Sequence, residues 1–270
     1  MRKFLITICV LFIFIGGLIL GLGMFFKDKY APVVLMYHMV YPQAESRYKA
    51  AIRDVTFAAQ MRFLHKHQYK VVTLQALTEL IKRKEKIPAK TIAITFDDGY
   101  NDNLHYAFPI LKKYNFPVTI FIIVDEAGVN PQKLNWRQIK LMQDSGLVTF
   151  GSHCLGTEPL TNLQPFEQKR QIVESKRILE NRLGAQVKFF SYPEGKFTAP
   201  IRQMVIDAGY AAAVATTPGV NYPNDDIFAI KRVRVSEVKF RDLSFAIKLT
   251  GLYNYIVESR KDKKQRKHAR

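Results

Sequence analysis

Short apolar runs alternate along this chain with longer segments in which apolar residues return every three to four positions. Val33-Val34-Leu35-Met36-Tyr37 and Thr91-Ile92-Ala93-Ile94-Thr95-Phe96 are unbroken enough to predict buried strands. Leu147-Val148-Thr149-Phe150 and Val187-Lys188-Phe189-Phe190-Ser191 follow the same pattern. Helical spacing falls between them, over 56–67, 74–83, 103–114, 136–145, 166–183 and 198–208. Strand alternating with helix predicts an α/β fold with a parallel sheet, expected here as a distorted, TIM-like β/α barrel of seven strands.

Each of these strands gives way to polar residues. The first run stops at His38, the second at Asp97-Asp98-Gly99, the third leads through Gly151-Ser152 to His153, and the fourth enters Tyr192-Pro193-Glu194-Gly195. In a β/α barrel the carboxyl ends of the strands share one rim, so these groups are expected around one cleft. Two adjacent carboxylates there can divide work, one binding a cation and the other accepting a proton from water. The alternative is an ordinary turn, which also favours Asp and Gly.

The amino terminus adds a different element. Residues 4–26 carry no charge and follow Arg2-Lys3, which predicts one transmembrane helix ahead of the barrel. The expected division is a membrane segment over 1–31, a catalytic domain over 32–258 and a basic tail over 259–270. The reading favours an uncleaved, single-pass anchor in the cell membrane with the domain extracellular; cleavage near Gly21 or Gly23 would instead release a secreted protein. Cys9 falls in the apolar run and Cys154 in the domain, so no disulfide can form within the domain. Cys154 follows His153 directly and on extended backbone points the other way, as a bystander.

Charge extends the picture at the other end. The net charge is +18, part of it in the run from Arg260 to Arg270, which reads as a solvated tail suited to anionic lipid or an anionic envelope polymer. No zinc-finger spacing, recognition helix or aromatic platform accompanies it, so no specific nucleic-acid partner is expected.

Thr95-Phe96-Asp97-Asp98-Gly99, Ser152-His153, Tyr192-Pro193-Glu194-Gly195 and Val34-Leu35-Met36-Tyr37-His38 together resemble the polysaccharide deacetylases of the NodB-homology type, carbohydrate esterase family 4. Asn135-Trp136 followed by Ile139 and Met142 resembles a further landmark. The likeness spans about 32–235 and is closest to the branch acting on extracellular poly-N-acetylglucosamine. It implies hydrolysis of N-acetyl groups on a cell-envelope or extracellular polysaccharide, with a divalent metal, usually zinc, as cofactor. Carried over by position, Asp97 is the catalytic base, Asp98 and His153 are metal ligands, and Tyr192, His38 and Trp136 serve substrate or oxyanion.

One departure stands against these matches. The family's second metal histidine follows the first by four residues, and here that position is Thr157, a poor ligand beside imidazole. Thr157 itself, the adjacent Glu158 and His38 are the candidates for the third position. The family's late histidine is also missing near Ile230-Lys231-Arg232-Val233-Arg234-Val235. A second class of function therefore stands beside the enzyme: a relative that binds polysaccharide without turnover.

Overall fold

The structure is a computed structural model and describes residues 31–42, 50–216, 223–237 and 241–268. β1 (Val33–Tyr37) leads through β2 (Val40–Tyr41) and β3 (Ile52–Arg53) into α1 (Asp54–Lys66). Then come β4 (Lys70–Val71), α2 (Leu74–Lys82), β5 (Thr91–Phe96), α3 (Phe108–Tyr114), β6 (Val118–Ile122) and α4 (Trp136–Asp144). β7 (Val148–Ser152), α5 (Pro165–Leu183), β8 (Phe189–Ser191), α6 (Ala199–Asp207) and β9 (Ala212–Ala215) follow, and β10 (Ile230–Lys231), β11 (Val233–Arg234), α7 (Arg241–Lys248) and α8 (Tyr253–His268) complete the order.

The main sheet is parallel and runs β10-β9-β8-β7-β6-β5-β1-β11, with β4 added beside β5. Its two ends are one stretch of chain. β10 pairs with β9 and β11 pairs with β1, and only Arg232 lies between them, so the segment 230–234 bridges the sheet's edges into a nearly closed barrel. The eight strands on this path differ from the seven expected because the last one changes partner at Arg232, whose N–H donates to Ala215 O on β9 at 3.1 Å.

Local chemistry explains where the helices begin and end. Asn135 caps α4 in a reciprocal box with Gln138, and Thr73 accepts the Ala76 N–H at the start of α2. Pro165 opens α5, and Gly184 closes it in the left-handed conformation that glycine tolerates best. A turn of π-helix over Asn103–Ala107 precedes α3, so the helix expected over 103–114 is present in two parts.

Alternation along the strands sorts the core into two layers. Leu35, Tyr37, Ile92, Ile94, Phe96, Ile120 and Phe190 belong to the cluster shared with the surrounding helices. Val34, Ala93, Phe121, Phe189, Val214 and Ile230 form the other cluster, in the barrel interior, together with Leu74, Leu77 and Ile81 of α2. Continuing the inward set two residues at a time leads from Ala93 to Thr95 and Asp97, from Gly151 to His153, from Phe189 to Ser191, from Ile230 to Arg232, and from Val34 to His38.

α8 is continuous from Tyr253 to His268, so the boundary expected at 258/259 falls inside a helix, and the backbone of the basic run is helical through His268. Among the described residues no helix is long and apolar enough to cross a membrane; the expected span over 4–26 lies outside them.

Gly151 shows how tightly the interior is filled. A Cβ there would lie 2.6 Å from the Phe121 ring and 2.9 Å from Phe189 O, whereas a Cβ on Gly156 meets nothing within 4 Å. Gly151→Ala is expected to cost about 1–3 kcal/mol in denaturant unfolding through overpacking, with Gly156→Ala near neutral. Equal stability of the two variants would contradict this packing.

Candidate active site

Asp97 sits at the centre of the site because β5 points it inward at the barrel's carboxyl end, where it is 3 % exposed. A lone carboxylate so buried would be neutral. Arg232, 1 % exposed, prevents that: Nη1 donates to Oδ1 at 2.7 Å and Nη2 to Oδ2 at 2.6 Å. The same guanidinium donates to Ser191 Oγ at 3.0 Å and Thr95 Oγ1 at 3.3 Å and lies 5.6 Å from the Phe121 ring. Burial pushes the Asp97 pKa up, but the Arg232 charge, helped by His153 and His38, holds it below the ordinary carboxylate value. Asp97 is therefore a fixed, ionised carboxylate at neutral pH.

Asp98 reaches the same space by a backbone device. Its φ of 69°, followed by 63° at Gly99, is left-handed, so two adjacent carboxylates face one cavity instead of opposite sides of a strand. Glycine is required at 99, since a Cβ there would lie 2.6 Å from Ile122 Cδ1. Asp98 Oδ1 is 3.4 Å from His153 Nε2. Burial raises the Asp98 pKa, and the bond to His153 and the charges of His153, His38 and Lys133 bring it well below its usual value.

His153 is oriented from behind. Its Nδ1 donates to Ser191 O at 2.8 Å, which leaves Nε2 as the nitrogen turned toward Asp98. Burial opposes its protonation, but Asp97 and Asp98 raise its pKa above the ordinary imidazole value, so a cation at this pair competes with a proton.

These residues suit part of a divalent-ion site. Bonds of about 2.0–2.2 Å at a tetrahedral angle put two donors roughly 3.3–3.5 Å apart, the separation found between Asp98 Oδ1 and His153 Nε2. Thr157 lines the same cavity and offers a hydroxyl. Glu158 does not line it; its carboxylate is exposed and accepts from Asn162 Nδ2. Among the described residues no group of three or more His, Cys, Asp or Glu side chains could hold a metal, so a third strong protein ligand is lacking there.

The cavity, about 720 Å³, brings together His38, Asp97, Asp98, His153 and Thr157 of the residues expected from sequence. Burial holds His38 below its ordinary pKa, and its Nδ1 is buried without a hydrogen-bond partner. Two expected residues stand elsewhere. The Tyr192 side chain is 0 % exposed in the outer core, stacked on Phe197 at 4.2 Å with its hydroxyl on Phe228 O; only the following Pro193, Glu194 and Gly195 reach the cavity. The reason is parity: Ser191 faces inward, so its neighbour faces out. Trp136 lies at the start of α4 with Arg182 5.2 Å from its ring and does not line the cavity. Cys154 is fully buried on the outer side, where burial raises its thiol pKa.

Two functional positions escaped the sequence reading. Arg232 had one usable signal, its inward parity with Ile230, but its carboxylate partner is 135 positions away. Lys133, in the cavity wall, donates to Asp98 O at 3.1 Å, pairs with Glu126 at 3.1 Å and lies 3.6 Å from the Tyr100 ring centre, fixing the loop that carries Asp98.

A nearly closed parallel barrel with a clamped carboxylate and a carboxylate–imidazole pair at the strand ends defines a hydrolase type of site. The sequence profile of the polysaccharide deacetylases matches residues 84–213. YxkH of Bacillus subtilis, a protein named for that family, is 32% identical over 203 residues, covering 75% of this chain and 71% of its own. The poly-β-1,6-N-acetyl-D-glucosamine N-deacetylase of Staphylococcus aureus is 27% identical over 208 residues, 72% of this chain and 70% of that one. The structure of IcaB from Ammonifex degensii superposes with a TM-score of 0.70 at 26% identity, covering 83% of this chain and 97% of that chain. The chain belongs to the polysaccharide deacetylase family, whose members are carbohydrate hydrolases, and is related to its poly-β-1,6-N-acetylglucosamine deacetylases.

The clamp yields a pH-dependent prediction. A depressed Asp97 pKa contributes stability that is full above the unfolded carboxylate value and is lost as pH falls through the folded one. Arg232→Met removes the cation, raises that pKa and reverses the sign. The variant is expected to be about 3–5 kcal/mol less stable near pH 7, with the gap narrowing toward pH 4 in denaturant melts. A gap independent of pH would show that Arg232 acts through packing alone.

Proposed function

We propose that this chain is a divalent-metal-dependent hydrolase that removes N-acetyl groups from a cell-envelope or extracellular polysaccharide containing N-acetylglucosamine. The observation that carries the reading is the ionised, Arg232-held Asp97 next to the Asp98–His153 pair in one open cavity. Asp98 and His153 would hold the ion, and a bound divalent ion supplies Lewis acidity toward the acetamide carbonyl and the attacking water.

The protein's own groups do the rest. Asp97 takes the proton of the attacking water, and Arg232 and Ser191 keep its carboxylate aimed while it does so. As the tetrahedral adduct collapses, the protonated Asp97 is placed to return the proton to the leaving amine, a role open to it because no histidine stands near Ile230-Lys231-Arg232-Val233-Arg234-Val235. His38 lines the cavity just past the end of β1, where its ring is suited to hydrogen-bond the substrate oxygen. Acetate and a free amino sugar are the products.

Thr157 favours the second reading, a protein that binds glycan without turnover, since the cation half of the site has only two strong ligands among the described residues. Metal analysis and acetate release from N-acetylglucosamine oligomers separate the readings. Asp97→Asn is expected to lower acetate release by about 10²–10⁴-fold with metal content nearly unchanged, whereas Asp98→Asn loses both. Equal metal loss in both variants would refute this division of roles.

Thr157→His tests the departure directly. An imidazole added to Asp98 and His153 is expected to tighten zinc or cobalt binding at least tenfold by equilibrium dialysis and to raise acetate release. Unchanged affinity together with high wild-type activity would place the third ligand at another residue. Glycan binding without metal or acetate in every variant would establish the binding protein.

A further inference from the structure

We propose that Asp102 is a neutral carboxylic acid whose proton, donated to Asn103 Oδ1, locks the Asn103 amide onto the His38 carbonyl and so positions His38 at the cleft. The effect of this lock on turnover rests on the part given above to His38 in deacetylation. The lock itself does not, and the test below separates the two.

Both side chains are buried, Asp102 at 4% exposure and Asn103 at 1%. Asp102 stands immediately before the π-helical turn Asn103–Ala107, where an aspartate commonly accepts backbone N–H groups, yet its side chain makes no capping bond. Asn103 supplies the contact instead. Its Nδ2 donates to Asp102 Oδ1 at 2.7 Å and to His38 O at 2.8 Å. Two acceptors around one atom fix which end of the amide is the nitrogen, since the amide oxygen could donate to neither. Asp102 Oδ2 and Asn103 Oδ1 are then left over, both buried and both without a hydrogen-bond partner among the described residues.

Were the carboxyl ionised, these two oxygens would both be acceptors with no donor to share, each at the cost of a buried, unmade bond. One proton on Asp102 Oδ2 removes both deficits. A carboxylic acid and a primary amide can pair through two bonds, N–H to one oxygen and O–H back to the other, and the first of these is already in place. The surroundings favour the neutral form. Lys133 is the cation that acts on Asp102, and its ammonium is engaged by Glu126 at 3.1 Å and by Asp98 O at 3.1 Å. Burial outweighs Lys133 and the donors of Val40 and Asn103, and pushes the Asp102 pKa up to about 7.

The lock joins two strand ends that form the cleft. His38 follows β1, while Asp102 and Asn103 end the loop that leaves β5 through Asp97 and Asp98. Gripping the His38 carbonyl through Asn103 therefore holds the segment that carries the imidazole against the loop that carries both carboxylates. With the second bond missing, the amide is held from one side only.

The test compares the full chain with its Asp102→Asn and Asp102→Ala variants at about pH 6, below the Asp102 pKa of about 7. Asparagine keeps a donor for Asn103 Oδ1 and an acceptor for Nδ2, so it mimics the neutral acid; alanine keeps neither. The infrared difference between wild type and Asp102→Asn is expected to show the carbonyl band of a protonated carboxyl group. In protein carrying isotope-labelled histidine, the His38 ring signals, assigned by their loss in His38→Gln, should shift in Asp102→Ala and stay in place in Asp102→Asn. With N-acetylglucosamine oligomers, kcat should fall about tenfold in Asp102→Ala at little-changed KM, and Asp102→Asn should recover most of that loss. Absence of the carboxyl band overturns the proposal, and so do His38 signals that stay in place in Asp102→Ala. Displacement of those signals in Asp102→Asn also overturns it, by showing that an ionised carboxylate holds Asn103, and it does so even if Asp102→Ala fails to fold. A wild type that shows the band and the expected His38 shifts but releases no acetate refutes the deacetylase reading and upholds the lock.

Discussion

The charge at the centre of the cleft depends on one buried ion pair. Arg232 is nearly without exposure, and a guanidinium taken so far from water is stable only if its donors are met. Asp97, Ser191 and Thr95 meet those of Nη1 and Nη2, and each comes from a strand facing the barrel axis. Such a pair is weak evidence for stability, since replacing a buried ion pair by packed apolar side chains of similar volume is often neutral or stabilising. What it provides is a carboxylate that stays charged inside a protein.

Its location also shapes the fold. Arg232 is the residue at which the last segment leaves β9 for β1, so the clamp and the closure of the barrel are one event. Residues on either side of it pair with different neighbours, and the side chain at the change-over points to the axis. The interior thus grades from Val34, Ala93 and Phe189 at one level to Thr95, Asp97, Ser191 and Arg232 nearer the strand ends. A polar layer at that level is tolerated because its members largely satisfy one another, with Arg232 Nε left without a partner.

Much of this was legible in the sequence where a signal is local. β1 and β5 coincide with the apolar runs 33–37 and 91–96, because strands buried on both faces have no polar interruptions. The helix expected over 166–183 differs from α5 by one residue, its ends being set by Pro165 and Gly184. β10 and β11 were not legible: two residues each, with Lys and Arg among them, they carry no periodicity and exist because they close a gap between partners far apart in the chain. The site followed the same rule. Asp97, Asp98, His153 and His38 announced themselves at strand ends, while Arg232 and Lys133 became visible only once distant segments were in contact. Tyr192 was misplaced because the alternation that correctly set Cys154 aside was not applied one residue beyond Ser191.

The two halves of the site are held by different parts of the molecule, and this explains how one can change without the other. The base half is built from barrel interior, so altering Arg232, Thr95 or Ser191 disturbs closure and core together. The other half combines His153, fixed by Ser191, and Asp98, fixed by a left-handed turn, with an outer loop along the cavity. Thr157 is in that loop, exposed, and the adjacent Gly156 has open space around it. Replacing an imidazole there by a hydroxyl removes a ligand without leaving a cavity, an orphaned charge or a broken strand. Stability therefore places little constraint on the residue at 157. Residue 157 can therefore differ at little structural cost, whereas the Arg232–Asp97 clamp cannot be altered without disturbing the barrel that it closes.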